Sequence, residues 1–444
     1  MISNIISKLK GKHFLSLSGN AVMSVFGMLT LSILYRSLPV AGIGAWVFFQ
    51  STLGLIDTFR SGFLTTAFIK FYAGTDSKRA TDVVGSTWFV GGAITAGLVV
   101  LNILAVLFMP PLKNEGLALC IKWFGICYVS TLPSFISSCV VQAEQRYDRL
   151  LYIRFLTQSL FVLGILCLVV VKQNNIEHVV YAFLISNVLT SIFCISAGYS
   201  RIGSFFSRTG KTIRELYHFG KYSVGTNLSS NMFRASDTYI VNFMLGEAAV
   251  AIYNLGLKLM ELVEIPLRSF AATAMASLSE AYNQDRKSDV IYILRKYIGI
   301  ITVSLIPVSI GAVLFANIAI GIMGGSKFIG TEAGIQAANV FRMFMIVALL
   351  YPADRYMGLT IDVIHRPGVN FVKVLIMLSA NIIGDFVGVH WLGNVYGIVI
   401  MNLFPAIIGI WISNRELQKY MPYRFFSLFN TGYSEIKMYI RKFI

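Results

Sequence analysis

Residues 83–109 read VVGSTWFVGGAITAGLVVLNILAVLFM, a stretch without a single Lys, Arg, Asp, Glu or His. A helix rises about 1.5 Å per residue, so roughly 20 such residues cross the hydrocarbon core of a bilayer. The stretch therefore predicts a membrane-spanning helix. Applied outward from it, the same ruler predicts spans at 14–38, 41–69, 116–141, 150–171, 177–199, 218–245, 248–279, 293–316, 335–361, 369–389 and 392–413. With 83–109 that makes twelve, of which the first, second, seventh and eighth are the most polar.

Composition agrees. Of 444 residues, 56% are hydrophobic and 13% are charged, against about 25% charged in an ordinary soluble domain. The mean hydropathy of +0.70 suits a chain surrounded by lipid. A soluble enzyme, a disulfide scaffold and a disordered tail protein are excluded. The five cysteines sit in apolar runs without a CxxC pair, and the five histidines are scattered. Neither set forms a metal or disulfide framework, so no metal and no cofactor is expected. A cleavable signal peptide is not expected either, because the apolar run after Lys8, Lys10 and Lys12 has spanning length.

The formal charge of +16 reflects topology rather than nucleic acid. Twelve spans with both termini cytoplasmic put 26 Lys and Arg residues in inner loops and span ends. Only Arg36, Lys113, Lys172 and Lys327 fall outside, and seven cations lie deeper in the spans. The longest polar connection, 201–217 (RIGSFFSRTGKTIRELY), follows the sixth span. The predicted organisation is a six-helix lobe over 1–200, a cytoplasmic linker over 201–217 and a second six-helix lobe over 218–414. A basic, aromatic interfacial tail over 415–444 completes it. GIGAW from Gly42 precedes AVAIY from Ala249 by 207 positions, and at that offset Asp57 falls on Glu264. The two lobes are thus read as parallel repeats, a plan in which transporters commonly bind substrate between lobes.

Ionisable side chains inside a span cost on the order of 2.5–3.5 kcal/mol each, and they usually face a polar cavity or one another. The embedded cations are Arg60, Lys122, Arg234, Lys258, Arg268, Arg342 and Arg355. Lys258, Glu261, Glu264 and Arg268 share a sector of about 120° on one helix. Asn227, Ser230, Asn231 and Arg234 form a second stripe with Asp237 at its edge, and Asp57 and Arg60 are three apart in the second span. The second, seventh and eighth spans are therefore expected to line an aqueous cavity. Asp57 with Arg60, Glu264 with Arg268, and Asp354 with Arg355 read equally well as internal pairs. Lys122 and Asp385 lie near outer span ends, where a long side chain snorkels. Arg and Lys on polar faces suit an anionic headgroup such as a phosphate.

Gly210-Lys211-Thr212 ends like a phosphate loop, but Phe205 occupies the required earlier glycine position and no strand precedes it. The longest outer loop, 317–334, has Lys327 and Glu332 as its only charges, unlike a membrane glycosyltransferase or polymerase.

The stretch SLSGNAVMSVFGMLTLSILYRSLPVAGIGAWVFFQSTLGLIDTFRSGFLTTAFIKFYAG, Ser16 to Gly74, resembles polysaccharide biosynthesis proteins of the Wzx type. These are flippases of the multidrug/oligosaccharidyl-lipid/polysaccharide (MOP) exporter superfamily. The resemblance rests on Gly19 near the start of the first span, Arg36-Ser-Leu38 closing it and Gly44-Ala-Trp46 opening the second. Where the family often has an Asp-x-Gly turn, this chain has Asp57-Thr-Phe-Arg60-Ser-Gly62. The resemblance implies an all-α polytopic protein with two six-helix bundles in a V, as in the MATE exporters, located in the bacterial inner membrane. It implies alternating-access transfer of a polyprenyl-pyrophosphate-linked oligosaccharide, a polysaccharide or O-antigen repeat unit, between leaflets. Proton or sodium coupling and contacts with glycan assembly proteins belong to the same expectation.

In that reading Arg234, Lys258 and Arg268 bind the pyrophosphate, with Arg60 opposite, and Asn227, Ser230 and Asn231 bind sugar. Asp57, Asp237, Glu261 and Glu264 orient these cations or carry a coupling ion. A MATE-type cation-coupled drug or metabolite antiporter and a membrane glycosyltransferase or polymerase are the alternatives.

Overall fold

The computed structural model describes residues 12–425 except 73, 111, 112 and 174, together with 434, 435 and 437. Side chains before residue 23 and several between 222 and 276 lie outside the described set, those of Ser230, Arg234 and Arg268 among them. Most of the expected interfacial tail lies outside it as well.

Every regular element among the described residues is helical. Without water, a lipid-embedded backbone must satisfy its own polar groups, and the helix does so within one segment. In chain order the helices are α1 Lys12–Ser37, α2 Val40–Tyr72, α3 Ser77–Phe108, α4 Glu115–Ser130, α5 Leu132–Ala143, α6 Tyr147–Val170 and α7 Ile176–Ser196. After a short 3-10 turn, Ile202–Ser207, come α8 Gly210–Leu245, α9 Glu247–Asn283, α10 Lys287–Gly324 and α11 Glu332–Val347. The last four are α12 Tyr351–Val363, α13 Pro367–Leu392, α14 Tyr396–Met401 and α15 Leu403–Tyr420.

Each predicted span falls on one helix or on a broken pair. Among the described residues eight helices are long and apolar enough to cross a membrane, or nine if α4 and α5 form one span. That pair bends by 45° at Thr131, beside Pro133 at the start of α5, which has no backbone N–H to donate to the preceding turn. The other predicted spans fall on α1, α8 and α9, of 26, 36 and 37 residues. The tenth span is broken at the 3-10 turn Ala348–Leu350 ahead of Pro352, and the twelfth at Asn402 ahead of Pro405.

The chain forms two compact units, Met1–Ala235 with Gly246–Ala251, and Ser236–Leu245 with Ile252–Ile444. The expected linker 201–217 lies in the first unit, and the change of unit falls inside α8 and α9. Within the first unit α1 packs on α6, α2 on α3 and α4, and α6 on α7. Its core gathers Phe68, Val83, Val84, Trp88, Ile136 and Val140. The linker is strapped to α3. Trp88 Nε1 donates to Ser200 O at 2.9 Å, Arg79 binds Glu215 and donates to Thr212 Oγ1 at 2.6 Å, and a Cβ on Gly85 would strike Ser204 O.

In the second unit the core joins α9, α10, α12 and α15 through Leu278, Val290, Leu294, Tyr356, Met357 and Leu417. Gly388 of α13 and Gly397 of α14 lie back to back, and a Cβ on either would strike the other's carbonyl. Exposed Leu107, Phe108, Val170, Leu314, Ile322 and Trp391 are the lipid-facing complement of these cores.

One turn recurs, and in three instances an arginine follows it. Gln145, Asp285 and His365 have φ of 56°, 52° and 60°. The next residue, Arg146, Arg286 or Arg366, donates its backbone N–H five residues back, to Val141, Ala281 or Ile361, at 2.8, 2.9 and 3.1 Å. This is the left-handed helix stop with its doubled hydrogen bond. Two of the three close the fourth and tenth predicted spans, equivalent positions in a six-plus-six repeat.

Candidate functional site

Two polar constellations stand inside these apolar bundles, one in each unit. In the first unit, α1, α2, α4, α5, α6 and α7 line a cavity of about 450 Å³, within the usual ligand-pocket range of about 300–1,000 Å³. Arg60 is its best-anchored member, 2% exposed. Its guanidinium donates to Tyr128 O at 3.0 Å, Asp57 Oδ1 at 2.7 Å and Thr131 Oγ1 at 2.8 Å. The bend at Thr131 brings these partners within reach. The Tyr128 and Phe135 ring centroids lie 4.1 and 4.8 Å from the guanidinium carbon, close enough for cation–π attraction.

Asp57 keeps 37% of its side-chain surface open and, with Gln50, lines the cavity from α2. Arg154, Thr157 and Gln158 enter from α6 at helical spacing, Ser134 and Ser138 from α5, and Asn187 and Phe183 from α7. Gln50 Nε2 is buried without a hydrogen-bond partner. The second span thus lines a cavity, here with the first, fourth, fifth and sixth rather than with the seventh and eighth. Arg60 spends its two terminal nitrogens on protein partners, while its Nε is buried without one.

In the second unit Asp237 is the hub. Its Oδ1 accepts from Asn381 Nδ2 at 2.7 Å, and its Oδ2 accepts from Asn402 Nδ2 at 3.1 Å and from Tyr253 OH. Asn381 Nδ2 also lies 3.1 Å from Asp385 Oδ2, one turn on. Asn381 is 1% exposed and Asp385 0%, and Asn381 Oδ1 and Asp385 Oδ1 are buried without a hydrogen-bond partner. The break at Asn402 and the glycine contact below α13 let four segments converge here. Asp385 is therefore fully buried in this network, contrary to the expectation that it snorkels. The cause is the close approach of α14, which walls off that end of α13.

Other residues resolve individually. Lys258 pairs with Glu261 at 2.5 Å, as a shared helix face requires, and Glu264 is half-buried a turn on. Asn227 and Asn231 donate to backbone oxygens four residues back, at 2.9 and 3.1 Å. The Asp354–Arg355 pair is corrected: Asp354 binds buried Lys373 at 3.0 Å. Neighbours on a helix diverge by about 100° and do not face each other. Lys122 binds Glu177 at 2.8 Å on an exposed surface, in keeping with snorkelling. Four cysteines are buried and Cys167 is exposed. Among the described residues no group of three or more His, Cys, Asp or Glu could hold a metal ion.

Sequence reasoning missed Arg154, Gln50, Gln158, Asn187, Asn381 and Asn402. The Arg154–Thr157–Gln158 spacing is a legible polar stripe, but Arg154 falls near a span end, where a cation is ordinarily a topology signal. The asparagines carry no charge, and neither hydropathy nor charge counting weighs them.

The fold defines a polytopic helical membrane protein with polar networks embedded in its bundles. The chain matches the model of the polysaccharide biosynthesis protein family over residues 33–332 and belongs to that family. It is 18% identical, over 82% of its length and 74% of the relative's, to the probable low-salt glycan biosynthesis flippase Agl15 of Haloferax volcanii. The fold is shared with the lipid II flippase MurJ in an inward closed conformation, at TM-score 0.75, 15% identity and coverage of 96% and 91% of the two chains. It is also shared with an inward-facing MATE transporter of the MOP superfamily, at TM-score 0.74, 16% identity and coverage of 89% and 95%.

Proposed function

We propose that this protein is a flippase that carries a polyprenyl-pyrophosphate-linked oligosaccharide, such as a polysaccharide or O-antigen repeat unit, across the cytoplasmic membrane by alternating access. The observation that carries the reading is a charged, amide-lined cavity inside the spans of a polysaccharide biosynthesis family member. Such a cavity suits a polar cargo moved through an apolar barrier. It contains no arrangement for bond cleavage, and the protein acts as a transporter rather than an enzyme. The names of its relative and structural neighbour, a glycan biosynthesis flippase and a lipid II flippase, support the same reading.

In this scheme both termini are cytoplasmic, and Arg234, Lys258 and Arg268 meet the pyrophosphate during transport. Arg60 holds Asp57 in place, and Asn227, Ser230 and Asn231 remain sugar contacts along α8. The Asp237–Asn381–Asp385–Asn402 network takes the coupling proton or sodium ion. It offers two carboxyl groups and two unspent oxygens in a dry setting, a combination that calls for a small cation.

The test is reconstitution in proteoliposomes with a fluorescent lipid-linked oligosaccharide, scored by accessibility to an impermeant quencher or glycosidase. Time-dependent transfer supports the reading; none, with correctly inserted protein, removes it. Proton-coupled efflux of fluorescent organic cations from the same vesicles would favour the MATE alternative instead. Incorporation of labelled sugar into lipid would favour the glycosyltransferase one.

A further inference from the structure

We propose that the cavity of the first unit is a sugar-recognition subsite, taking one or two pyranose rings of the glycan between the amides of Gln50, Gln158 and Asn187 and the ring of Phe183. This inference rests on the flippase reading and adds the part of the cargo that this cavity holds.

The chemistry of the lining is specific. A sugar ring presents hydroxyls that both donate and accept, set around apolar C–H faces. A complementary site needs side chains that work in both senses and flat apolar surfaces beside them. Gln50 and Gln158 supply amides: Gln50 Nε2 is buried without a hydrogen-bond partner, and half-buried Gln158 lines the cavity opposite it on α6. A buried amide left unpaired is costly, so Gln50 marks a place where a ligand or water completes the bonding. Asn187 uses its amide nitrogen on Phe183 O at 2.8 Å, which leaves its carbonyl oxygen as an acceptor. The hydroxyls of Ser134 and Ser138 donate to their own helix at 3.0 and 2.8 Å and so present lone pairs to the cavity.

The charges fit the same cargo. Asp57 and Arg60 pair at 2.7 Å and Arg154 adds a further cation to the lining, so the cavity is not an acidic trap for organic cations. Its amides and hydroxyls do not form the convergent shell of oxygens that a hard metal ion requires. Phe183 is braced edge-on by Trp46, with centroids 5.9 Å apart, which keeps an aromatic wall rigid.

Full-length protein in nanodiscs is titrated with the methyl glycosides of glucose, galactose, N-acetylglucosamine and glucuronic acid, read by saturation-transfer NMR. At least one should receive saturation, and its affinity should fall tenfold or more in Gln158→Leu and Gln50→Leu, with Gln158→Asn intermediate. Melting curves identify which variants are folded, and the result is read on those. In proteoliposomes the same variants should slow transfer of the lipid-linked oligosaccharide but not of polyprenyl pyrophosphate without sugar. Absence of saturation on all four glycosides, or unchanged affinity in folded variants, overturns the proposal. Wild-type protein that binds glycosides but moves no lipid-linked glycan retires the flippase reading and leaves the subsite standing. Transfer of the glycan with both leucine variants unimpaired does the reverse.

Discussion

The side-chain amide of Asn381 donates to Asp237 at 2.7 Å and also lies 3.1 Å from Asp385, so one uncharged group joins two carboxyls from different helices. With Asn402 and Tyr253 completing the ring, the network ties α8, α9, α13 and the α14–α15 break to one point.

Replacing Asn381 by Leu removes that shared donor while keeping the volume. If the network holds the coupling ion, the cation concentration for half-maximal transfer should rise roughly 10–100-fold, the usual consequence of losing an orienting partner. Asp237→Asn should abolish the cation dependence. Transfer rates across a series of sodium concentrations and imposed pH gradients check both, and dependence retained in both variants would remove the assignment.

Arg60 is expected to act on stability as strongly as on transport. Truncation to Ala discards three hydrogen bonds and two ring contacts. Breaking a buried charge network of this kind costs about 3–5 kcal/mol, discounted here because Asp57 is more than a third exposed. Arg60→Lys should recover only part, since an ammonium cannot present the planar fork. Thermal unfolding in detergent, with Asp57→Asn completing a double-mutant cycle, measures the coupling.

Gly388→Val and Gly397→Val should prevent correct assembly of the second unit, because either side chain meets backbone rather than a movable neighbour. Gly92→Ala is the control. Nothing lies within 4 Å of its added Cβ, and Ala in a helix is favoured over Gly by roughly 0.5–1 kcal/mol. Size-exclusion profiles should therefore separate the first two from the third.

The linker strap gives a subtler effect. Glu215→Gln weakens the half-exposed contact with Arg79, a surface-type pair worth roughly 0–1 kcal/mol. Global melting should hardly move, while limited trypsin cleavage at exposed Arg208 and Lys211 should accelerate. An unchanged digestion pattern would mean that the Trp88 and Gly85 contacts suffice alone.

The sequence already disclosed the spans, because the bilayer imposes a length and polarity rule on each segment independently of its neighbours. It disclosed the Asp57–Arg60 and Lys258–Glu261 pairs for a related reason: residues three apart on a helix face each other whatever surrounds them. Lys373 with Asp354, the Arg154 side of the cavity and the asparagines around Asp237 were not legible. Each depends on which faces of distant helices meet.

Local chemistry by itself thus determined an all-helical membrane chain, its twelve candidate spans and its embedded charges. Tertiary structure alone decided which charges are spent on protein partners, which amides stay unspent, and that the first unit contains a cavity while the second closes around a carboxyl pair. Hydropathy acts on one segment at a time, whereas a cavity is made by the convergence of six helices. The bend at Thr131 fixes the convergence around the cavity, and the break at Asn402 with the Gly388–Gly397 contact fixes that around the carboxyl pair, only after the chain has folded.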